Sequence, residues 1–310
     1  MPRALVILNP RARRGAAASD YDRVRSQVEA GFRVRDAILD GTGEWLRAVD
    51  RARREGVERV VAVGGDGTVH AVANAILGDG SGTGAWSGVT FGAVGVGSSN
   101  DFHKPCRTRL RGVPVRIGAP ASRDAGLATW EDAVGVTRRR WFFVSASVGL
   151  SARANRRFSR ELGTGAWLGA RSVDAAIAYA AIGALLDHAN VRARLGEGSG
   201  EPERDVLVSN LGVMLTPYLA GTFRYGSDVQ PGQGRFALHL CDGMTRLGLL
   251  RAMAALLGGR FGRAPGTSSW SSRAVSLELE RDDDLELDGE LFRARKVRFE
   301  AFSDVLSVCS

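Results

Sequence analysis

The fold of this chain is decided by the segment Val60–Ala73, which reads VVAVGGDGTVHAVA. Its four apolar residues Val60–Val63 predict a buried strand, and the apolar residues after Thr68 predict a helix. The glycines between them allow a tight turn and bring backbone N–H groups close to a ligand. A buried strand that leads through a glycine turn into a helix is typical of an α/β domain.

The glycine turn Gly64–Thr68 is also a candidate phosphate site. Accessible N–H groups next to a helix N-terminus attract phosphate. Its carboxylate, Asp66, would repel a phosphate unless a cation lay between the two, which favours a nucleotide bound with Mg²⁺. The alternative is an ordinary tight turn in which Asp66 only caps the helix. Because the string Gly-Gly-Asp-Gly-Thr follows a buried strand and opens a helix, the nucleotide interpretation is favoured.

Residues 1–118 alternate predicted strands and helices. Strands are expected at Ala4–Leu8, Phe32–Leu39, Val57–Val63 and Thr90–Val96, and helices at Ala17–Ala30 and Gly43–Arg54. This order predicts a parallel sheet with flanking helices. Ligands bind beyond the carboxyl ends of the strands in such sheets. Three segments follow those ends here, namely Asn9-Pro10, Gly64–Thr68 and Gly97–Asp101.

From residue 119 onward the pattern changes to short β-like runs around two predicted helices, Ala166–His188 and Leu247–Leu257. We therefore expect two domains, an α/β domain over residues 1–118 and a β-rich antiparallel domain over residues 119–310. The sequence leaves open whether the end of the chain returns to the first domain. The helix Ala166–His188, with Trp167 and Leu168 near its start, either lines an apolar substrate groove or belongs to the core, and its small residues slightly favour the core.

The composition is that of a globular protein, with 44% hydrophobic and 25% charged residues. No apolar stretch reaches the roughly 20 residues that span a bilayer. The segment Met1–Leu8 is too short and too strand-like for a signal peptide, so we expect a cytoplasmic protein. The cysteines Cys106, Cys241 and Cys309 lack the spacing of metal ligands and are expected to be reduced and structural.

The net charge of +8 comes almost entirely from arginine. Such a bias is more typical of a GC-rich genome than of a dedicated binding surface. The stretches Arg138–Arg140 and Arg153–Arg160 nevertheless favour anionic lipid headgroups, which leaves open a peripheral contact with the inner face of the membrane. The chain has no zinc finger, aromatic-basic RNA platform or recognition-helix pattern, which argues against nucleic acid as a partner. The oligomeric state is left open.

A second glycine cluster, Gly97-Ser98-Ser99-Asn100-Asp101-Phe102, ends the strand Thr90–Val96. Ser98 or Ser99 is a candidate phosphate donor, and Asp101 is a candidate metal ligand or brace for the loop. Taken alone, the cluster is better explained as an ordinary helix N-terminus, since Ser, Asn and Asp all cap helices well.

A third cluster near the end of the chain is rich in carboxylates. Asp282–Asp284 is most simply a solvated turn. Asp288 and Glu290 lie on either side of Gly289, so that their carboxylates either converge on one point or mark the tip of a hairpin. The sequence alone does not favour one of these alternatives.

Taken together, these landmarks resemble the diacylglycerol kinase catalytic-domain superfamily, which includes sphingosine and ceramide kinases. The resemblance to the bacterial soluble lipid kinases extends over nearly the whole chain. The landmarks occur in the expected order: Asn9-Pro10, Thr42, Gly64–Thr68, Gly97–Phe102 and Asp288–Glu290. The fold implied is an NAD-kinase/diacylglycerol-kinase-like α/β domain followed by the β-rich domain.

The resemblance implies an ATP-dependent lipid kinase that transfers the γ-phosphate of ATP to the hydroxyl of a lipid such as diacylglycerol or a sphingoid lipid. ATP is expected in the cleft between the domains. Asp66 and Asp101 would position Mg²⁺, directly or through water, and Asp288 with Glu290 beside it would accept the proton of the lipid hydroxyl. The implied nucleotide-binding residues are Asn9, Pro10, Thr42, Gly64, Gly65, Asp66, Gly67, Thr68, Ser98 and Asn100.

Two departures from the family pattern keep alternatives open. His70-Ala71 stands where the family has Asn-Glu, and Gly232-Gln233-Gly234 lacks an acidic pair that anchors a structural metal. One alternative is therefore a nucleotide-binding regulator with weakened catalysis. Another is an NAD-kinase-like small-molecule kinase, because NAD kinases share the Gly-Gly-Asp-Gly-Thr loop.

Overall fold

The computed structural model describes residues 1–40, 42–81, 85–132, 134–163, 173–198, 203–219, 221, 223–226 and 229–310. The chain divides into two compact units. The first unit consists of Met1–Ala125 together with Ser303–Ser310, and the second unit is Gly126–Phe302. The chain enters the second unit within the strand Pro120–Glu131 and leaves it within the strand Glu290–Cys309.

The first unit is built on a sheet whose strands are β1 (Arg3–Leu8), β2 (Arg33–Ile38), β3 (Arg59–Gly64), β4 (Thr90–Gly95), β5 (Arg109–Leu110) and β6 (Val113–Arg116). Strands β4, β3, β1 and β2 pair in that order, and all of these pairs are parallel. Strand β6 runs antiparallel to both β4 and β5. At the end of the chain, Val308 pairs in parallel with Phe91 of β4.

The helices of the first unit are α1 (Ala17–Asp22), α2 (Arg25–Val28), α3 (Glu44–Arg54) and α4 (Asp66–Leu77). The single helix predicted over residues 17–30 is wrong, because the N–H of Val24 bonds to the carbonyl of Tyr21, at 2.9 Å, and the α-helical ladder stops there. Tyr21 and Val24 pack with the sheet residues Val61 and Val94 in one core cluster. Burial of these side chains attaches both short helices to the sheet.

The second unit is predominantly antiparallel. It begins in β7 (Pro120–Glu131) and continues with β8 (Thr137–Phe142), β9 (Ser145–Gly149), β10 (Val191–Glu197), β11 (Arg204–Met214), β12 (Tyr218–Leu219), β13 (Phe223–Arg224), β14 (Phe236–Asp242), β15 (Thr267–Ser272), β16 (Ala274–Leu287) and β17 (Glu290–Cys309). The main path through its sheet is β15-β14-β11-β10-β16-β17. Strands β10 and β9 pair with successive parts of β11 and of β16.

The α-helices in the described part of the second unit are α5 (Leu150–Gly163), α6 (Val173–Leu186) and α7 (Arg246–Leu257). The helix predicted at 166–188 corresponds to α6 over its described residues, whereas α5 precedes that range and was not predicted. Trp167 and Leu168 lie outside the described residues. No helix in the described part of the chain is long and apolar enough to cross a membrane.

Two core clusters stabilise the second unit. One lies on the sheet and includes Phe142, Leu238 and Phe299, all fully buried. The other lies under α7 and includes Leu249 and Cys241. Burial raises the pKa of the Cys241 thiol to about 12, so this side chain behaves as a small apolar group, in keeping with a structural role.

Candidate functional site: a double glycine loop and a row of carboxylates

The turn between β3 and α4 is held by a threonine that fits against a glycine. A Cβ atom on Gly64 would lie 2.1 Å from Oγ1 of Thr68, so only glycine is tolerated there. Oγ1 of Thr68 also accepts a hydrogen bond of 3.0 Å from the side-chain amide of Asn9. Since β1 and β3 are neighbours in the sheet, the segment after β1 is thereby joined to the start of α4.

The two glycine clusters pack directly against each other. A Cβ atom on Gly97 would lie 2.4 Å from the Cα atom of Gly65, which explains why each loop has a glycine at the point of contact. Asn100 has a left-handed backbone with φ of +50°. Its side chain accepts a 3.0 Å hydrogen bond from the N–H of Gly97 and donates one of 3.0 Å to the carbonyl of Gly97. Asn100, predicted as a nucleotide-binding residue, thus closes its own loop.

Asp66 connects the first loop to the second. Its carboxylate accepts hydrogen bonds from the backbone N–H groups of Asp101, at 3.1 Å, and Phe102, at 2.9 Å. These two N–H groups open a short 3₁₀ helix, Asp101–His103. Asp66 is the first residue of α4, whose N-cap, Gly65, forms no side-chain cap hydrogen bond. The carboxylate therefore caps the neighbouring 3₁₀ helix and fixes the position of one loop relative to the other.

The charge on Asp101 is also engaged. Its carboxylate forms a 2.7 Å ion pair with the ammonium of Lys104, and both side chains are largely buried. The described residues contain no group of three or more His, Cys, Asp or Glu side chains that could hold a metal ion. The carboxylate of Asp101 is thus paired with an ammonium and that of Asp66 with two amides. That the two carboxylates position Mg²⁺, directly or through water, stays a prediction.

The arrangement does fit a phosphate group. Gly65, Asp66 and Gly67 are partly exposed, so their backbone is accessible. The first N–H groups of a helix point away from its hydrogen-bond ladder and carry the positive end of the helix dipole. Helix α4 runs for 12 residues, which gives this dipole its full effect at the loop.

The remaining predicted nucleotide residues lie on loops that follow β1, β2 and β4. Pro10 is partly exposed directly after β1, and Ser98 is exposed in the second loop. Thr42 is exposed as well. Its hydroxyl donates to Asp40 at 2.8 Å and accepts from the N–H of Glu44 at 3.3 Å, so it stabilises the start of α3. The hydrogen bond from the Thr42 hydroxyl lowers the pKa of Asp40.

Two arginines that the sequence did not single out support the second loop. The guanidinium groups of Arg116 and Arg123 donate to the carbonyl of Phe102 at 3.2 Å and 3.1 Å. Arg123 also lies over the Phe102 ring, 4.0 Å from its centre. The adjacent His103 is buried, and burial together with the charge of Arg116 lowers its pKa to about 3. The imidazole is therefore neutral at physiological pH.

In the second unit, Asp288 and Gly289 form the tip of the β16–β17 hairpin. Both have positive φ, +49° and +94°, the pattern of a two-residue type I′ turn. The carboxylate of Asp288 is buried and accepts three backbone hydrogen bonds, two of 2.8 Å from Phe143 and Val144 and one of 3.1 Å from Ser145. Glu290 is exposed. The two carboxylates therefore have different surroundings, and Asp288 fastens the hairpin to the turn before β9.

The prediction that Asp282–Asp284 is a solvated turn is wrong for its last two residues. Asp283 and Asp284 are buried within β16. Arg153 of α5 donates to Asp283 at 3.1 Å. Asp284 accepts from Arg156 at 2.6 Å and from Arg293 at 2.9 Å. The sequence did not reveal this arrangement, because the arginines that neutralise the carboxylates lie as far as 130 residues away along the chain.

The first unit thus combines a parallel sheet with two glycine loops that pack against each other, and the second unit is β-rich. Residues 3–116 match the family model described as the diacylglycerol kinase catalytic domain. This match confirms the resemblance to the diacylglycerol kinase catalytic-domain superfamily and places it on the part of the chain that carries both glycine loops.

Curated relatives and solved structures agree with this match. "Probable lipid kinase YegS" from Escherichia fergusonii is 29% identical over 161 residues, 49% of this chain and 48% of the relative. The same-named protein of Salmonella heidelberg is 31% identical over 33% of this chain and 32% of the relative. The match thus spans about half the length of these curated relatives, or less.

Among solved structures, a diacylglycerol kinase from Bacillus anthracis has a TM-score of 0.64 at 12% identity, covering 98% of this chain and 95% of that chain. Yeast NADH kinase complexed with NADH has a TM-score of 0.52 at 8% identity, covering 100% of this chain and 84% of that chain. At these identities the likeness establishes the fold.

Proposed function

We propose that this protein is an ATP-dependent lipid kinase, which transfers the γ-phosphate of ATP to the hydroxyl of a lipid such as diacylglycerol or a sphingoid lipid. The observation that supports it most is the bond between the two glycine loops, in which Asp66 holds the N–H groups of Asp101 and Phe102. These loops lie within residues 3–116, the segment that matches the diacylglycerol kinase catalytic domain.

In this proposal the phosphates of ATP bind at the backbone N–H groups of Gly65, Asp66 and Gly67. The hydrogen bond from the Asn9 side chain to the Thr68 hydroxyl stabilises the conformation of the turn. Pro10, Thr42, Gly64, Ser98 and Asn100 complete the proposed nucleotide-binding set. Mg²⁺, when bound with ATP, would supply neutralisation of phosphate charge. The protein takes little part in the covalent chemistry of phosphoryl transfer. Positioning of the phosphates therefore accounts for most of the expected rate gain.

For the proton of the lipid hydroxyl, the candidate acceptors are Asp288 and Glu290. Both oxygens of Asp288 already accept backbone N–H groups. Glu290 is exposed and has no hydrogen bond or ion pair of its side chain among the described contacts. We therefore assign proton acceptance to Glu290 and the support of the hairpin tip to Asp288. A general base of this kind contributes roughly 10²–10⁴ to the rate.

The proposal is tested by incubating the purified protein with γ-labelled ATP, Mg²⁺ and a mixed lipid extract, followed by separation of labelled lipids. We expect a labelled lipid product, its loss in Asp66→Ala, and its retention in the control Glu44→Gln, which changes an exposed carboxylate of α3. Glu290→Gln is expected to lower the rate about 10²-fold or more while ATP binding is kept. Full activity of Asp66→Ala would refute the assigned role of the double loop.

The chief rival is a kinase for a soluble acceptor, which is favoured by the shared fold of yeast NADH kinase. The same assay run with NAD and NADH in place of lipid separates the two. A labelled dinucleotide with no labelled lipid would replace the lipid-kinase proposal. Binding of ATP with no transfer to any acceptor would favour the nucleotide-binding regulator instead.

A further inference from the structure

Helix α7 of the second unit has two faces of similar apolar character but different exposure. Leu249, Ala252 and Leu256 are buried against the core. Leu247, Leu250 and Leu257 are 55%, 51% and 63% exposed. At 100° per residue these three leucines lie within an arc of about 80°, outside the arc of the buried residues. A single exposed leucine is ordinary, but three on one helix face form a continuous apolar strip.

The charges within the segment that carries this strip have one sign. Residues 246–263 contain four arginines, Arg246, Arg251, Arg260 and Arg263, and no Asp or Glu. All four arginines are exposed. On the helical wheel Arg246 and Arg251 flank the exposed leucines on either side. Arg260 and Arg263 follow the helix. Arg260 lies just before the short 3₁₀ helix Phe261–Arg263, and Arg263 is its last residue.

These arginines differ from several arginines of the two basic stretches that the sequence offered for lipid headgroups. Arg153, Arg156 and Arg157 are ion-paired with Asp283, Asp284 and Asp187. Arg138 is paired with Asp132. In contrast, no ion pair recorded for the described residues involves an arginine of the 246–263 segment.

We propose that α7 and the following residues, 246–263, form a surface that docks on a lipid bilayer containing anionic headgroups. The leucines 247, 250 and 257 would enter the boundary between headgroups and acyl chains, and the arginines would lie at the level of the phosphates. This is the pattern of an interfacial amphipathic helix, in which buried apolar area and attraction to anionic lipid act together. The surplus of positive charge favours a bilayer over an apolar protein partner.

The inference goes beyond the proposed kinase activity and is tested without nucleotide, so the two can fail independently. The purified protein is sedimented with vesicles of phosphatidylcholine alone, or of phosphatidylcholine with about one third phosphatidylglycerol. We expect binding to the anionic vesicles that weakens as salt is added, because the surface charges are screened, and much weaker binding to the neutral vesicles.

Matched variants locate the surface. Arg251→Gln is expected to weaken binding to anionic vesicles about fivefold, and Leu250→Gln about tenfold. The controls Arg51→Gln and Leu46→Gln change the same residue types on exposed positions of α3 and should leave binding unchanged. Because all four positions are exposed, the variants should melt within a few degrees of the parent protein.

Three results would overturn the proposal. One is equal binding to neutral and anionic vesicles. Another is unchanged binding of both α7 variants. The third concerns α6, where Tyr179, Ile182 and Leu186 are also exposed. If Ile182→Gln abolished vesicle binding and Leu250→Gln did not, the docking surface would lie on α6, where the segment 173–186 carries no arginine or lysine.

Discussion

Replacement of Asp288 by asparagine isolates the contribution of one buried carboxylate to the second unit. Asparagine has nearly the same shape and tolerates the left-handed backbone, here at φ of +49°, so the change removes the charge and one acceptor oxygen without straining the turn. In the parent protein, Oδ1 accepts from Val144 and Ser145 and Oδ2 accepts from Phe143. In the variant, the amide oxygen can keep two of these bonds. The NH₂ group of asparagine can only donate, so the third backbone N–H is left without an acceptor.

The expected loss follows from these three contacts. A hydrogen bond to a charged group contributes about 1.5–3 kcal/mol and a neutral one about 0.5–1.5 kcal/mol, so the two retained bonds weaken by about 1 kcal/mol each. A buried N–H left without an acceptor costs about 1–3 kcal/mol. We therefore expect Asp288→Asn to lower the free energy of unfolding by roughly 3–5 kcal/mol, a large share of the about 5–15 kcal/mol that stabilises a typical protein.

Urea denaturation followed by circular dichroism measures this loss. The control is Glu290→Gln on the same hairpin, which removes an exposed carboxylate and should change the free energy of unfolding by no more than about 0.5 kcal/mol. A loss below about 1 kcal/mol in Asp288→Asn, with the native spectrum kept, would refute the reasoning. If that stable variant had also lost kinase activity, the carboxylate of Asp288 would act on the substrate and not on the hairpin.

Three further predictions concern other contacts. Gly97→Ala places a Cβ atom 2.4 Å from the backbone of the facing loop and should weaken ATP binding at least about tenfold by equilibrium dialysis, whereas Gly226→Ala, with no atom within 4 Å, should not. The folded-state pKa of His103, about 3, lies below its unfolded value of 6.5, so unfolding takes up a proton between these values. Stability should then fall as pH drops from 6.5 towards 3, by up to about 1.4 kcal/mol per pH unit, and urea titrations of His103→Gln should have a pH slope smaller by about that amount. Arg153→Leu leaves the buried Asp283 without its 3.1 Å partner and should lower the melting temperature more than the double variant with Asp283→Leu, which removes both charges.

Local patterns were sufficient to predict the parts of the first unit that lie around the glycine loops. The strand predicted at Val57–Val63 and the helix after Thr68 appear as β3 and α4, because an apolar run, a glycine turn and a helical repeat all act over a few neighbouring residues. The helix predicted at Gly43–Arg54 appears as α3. Of the interpretation of Gly97–Phe102 as an ordinary helix N-terminus, the helix start is confirmed, since a 3₁₀ helix of three residues begins at Asp101. The capping is not, since the N-cap Asn100 forms no side-chain cap hydrogen bond.

Long-range pairing explains what the sequence could not predict. Asp66 binds N–H groups 35 and 36 residues away, and Asp288 binds those of residues 143–145. No spacing rule reaches so far along a chain. The burial of Asp283 likewise depends on its ion pair with Arg153. The packing of α5 on the sheet brings the two side chains together. The sequence therefore identified Asp66 and Asp288 as candidate functional groups, but only the tertiary structure shows which groups they bind.

The division of the chain has a consequence for biosynthesis. The second unit is encoded by one uninterrupted stretch, Gly126–Phe302, whereas the first also needs Ser303–Ser310. In that last stretch Val308 lies beside Phe91, and the backbone of Ser310 bonds to Gly118 and Ala119. During translation the first unit thus begins to emerge from the ribosome before the second, but it is completed only after the whole of the second unit has been made. Any fragment that stops at residue 125 leaves one side of β4 uncovered at Phe91.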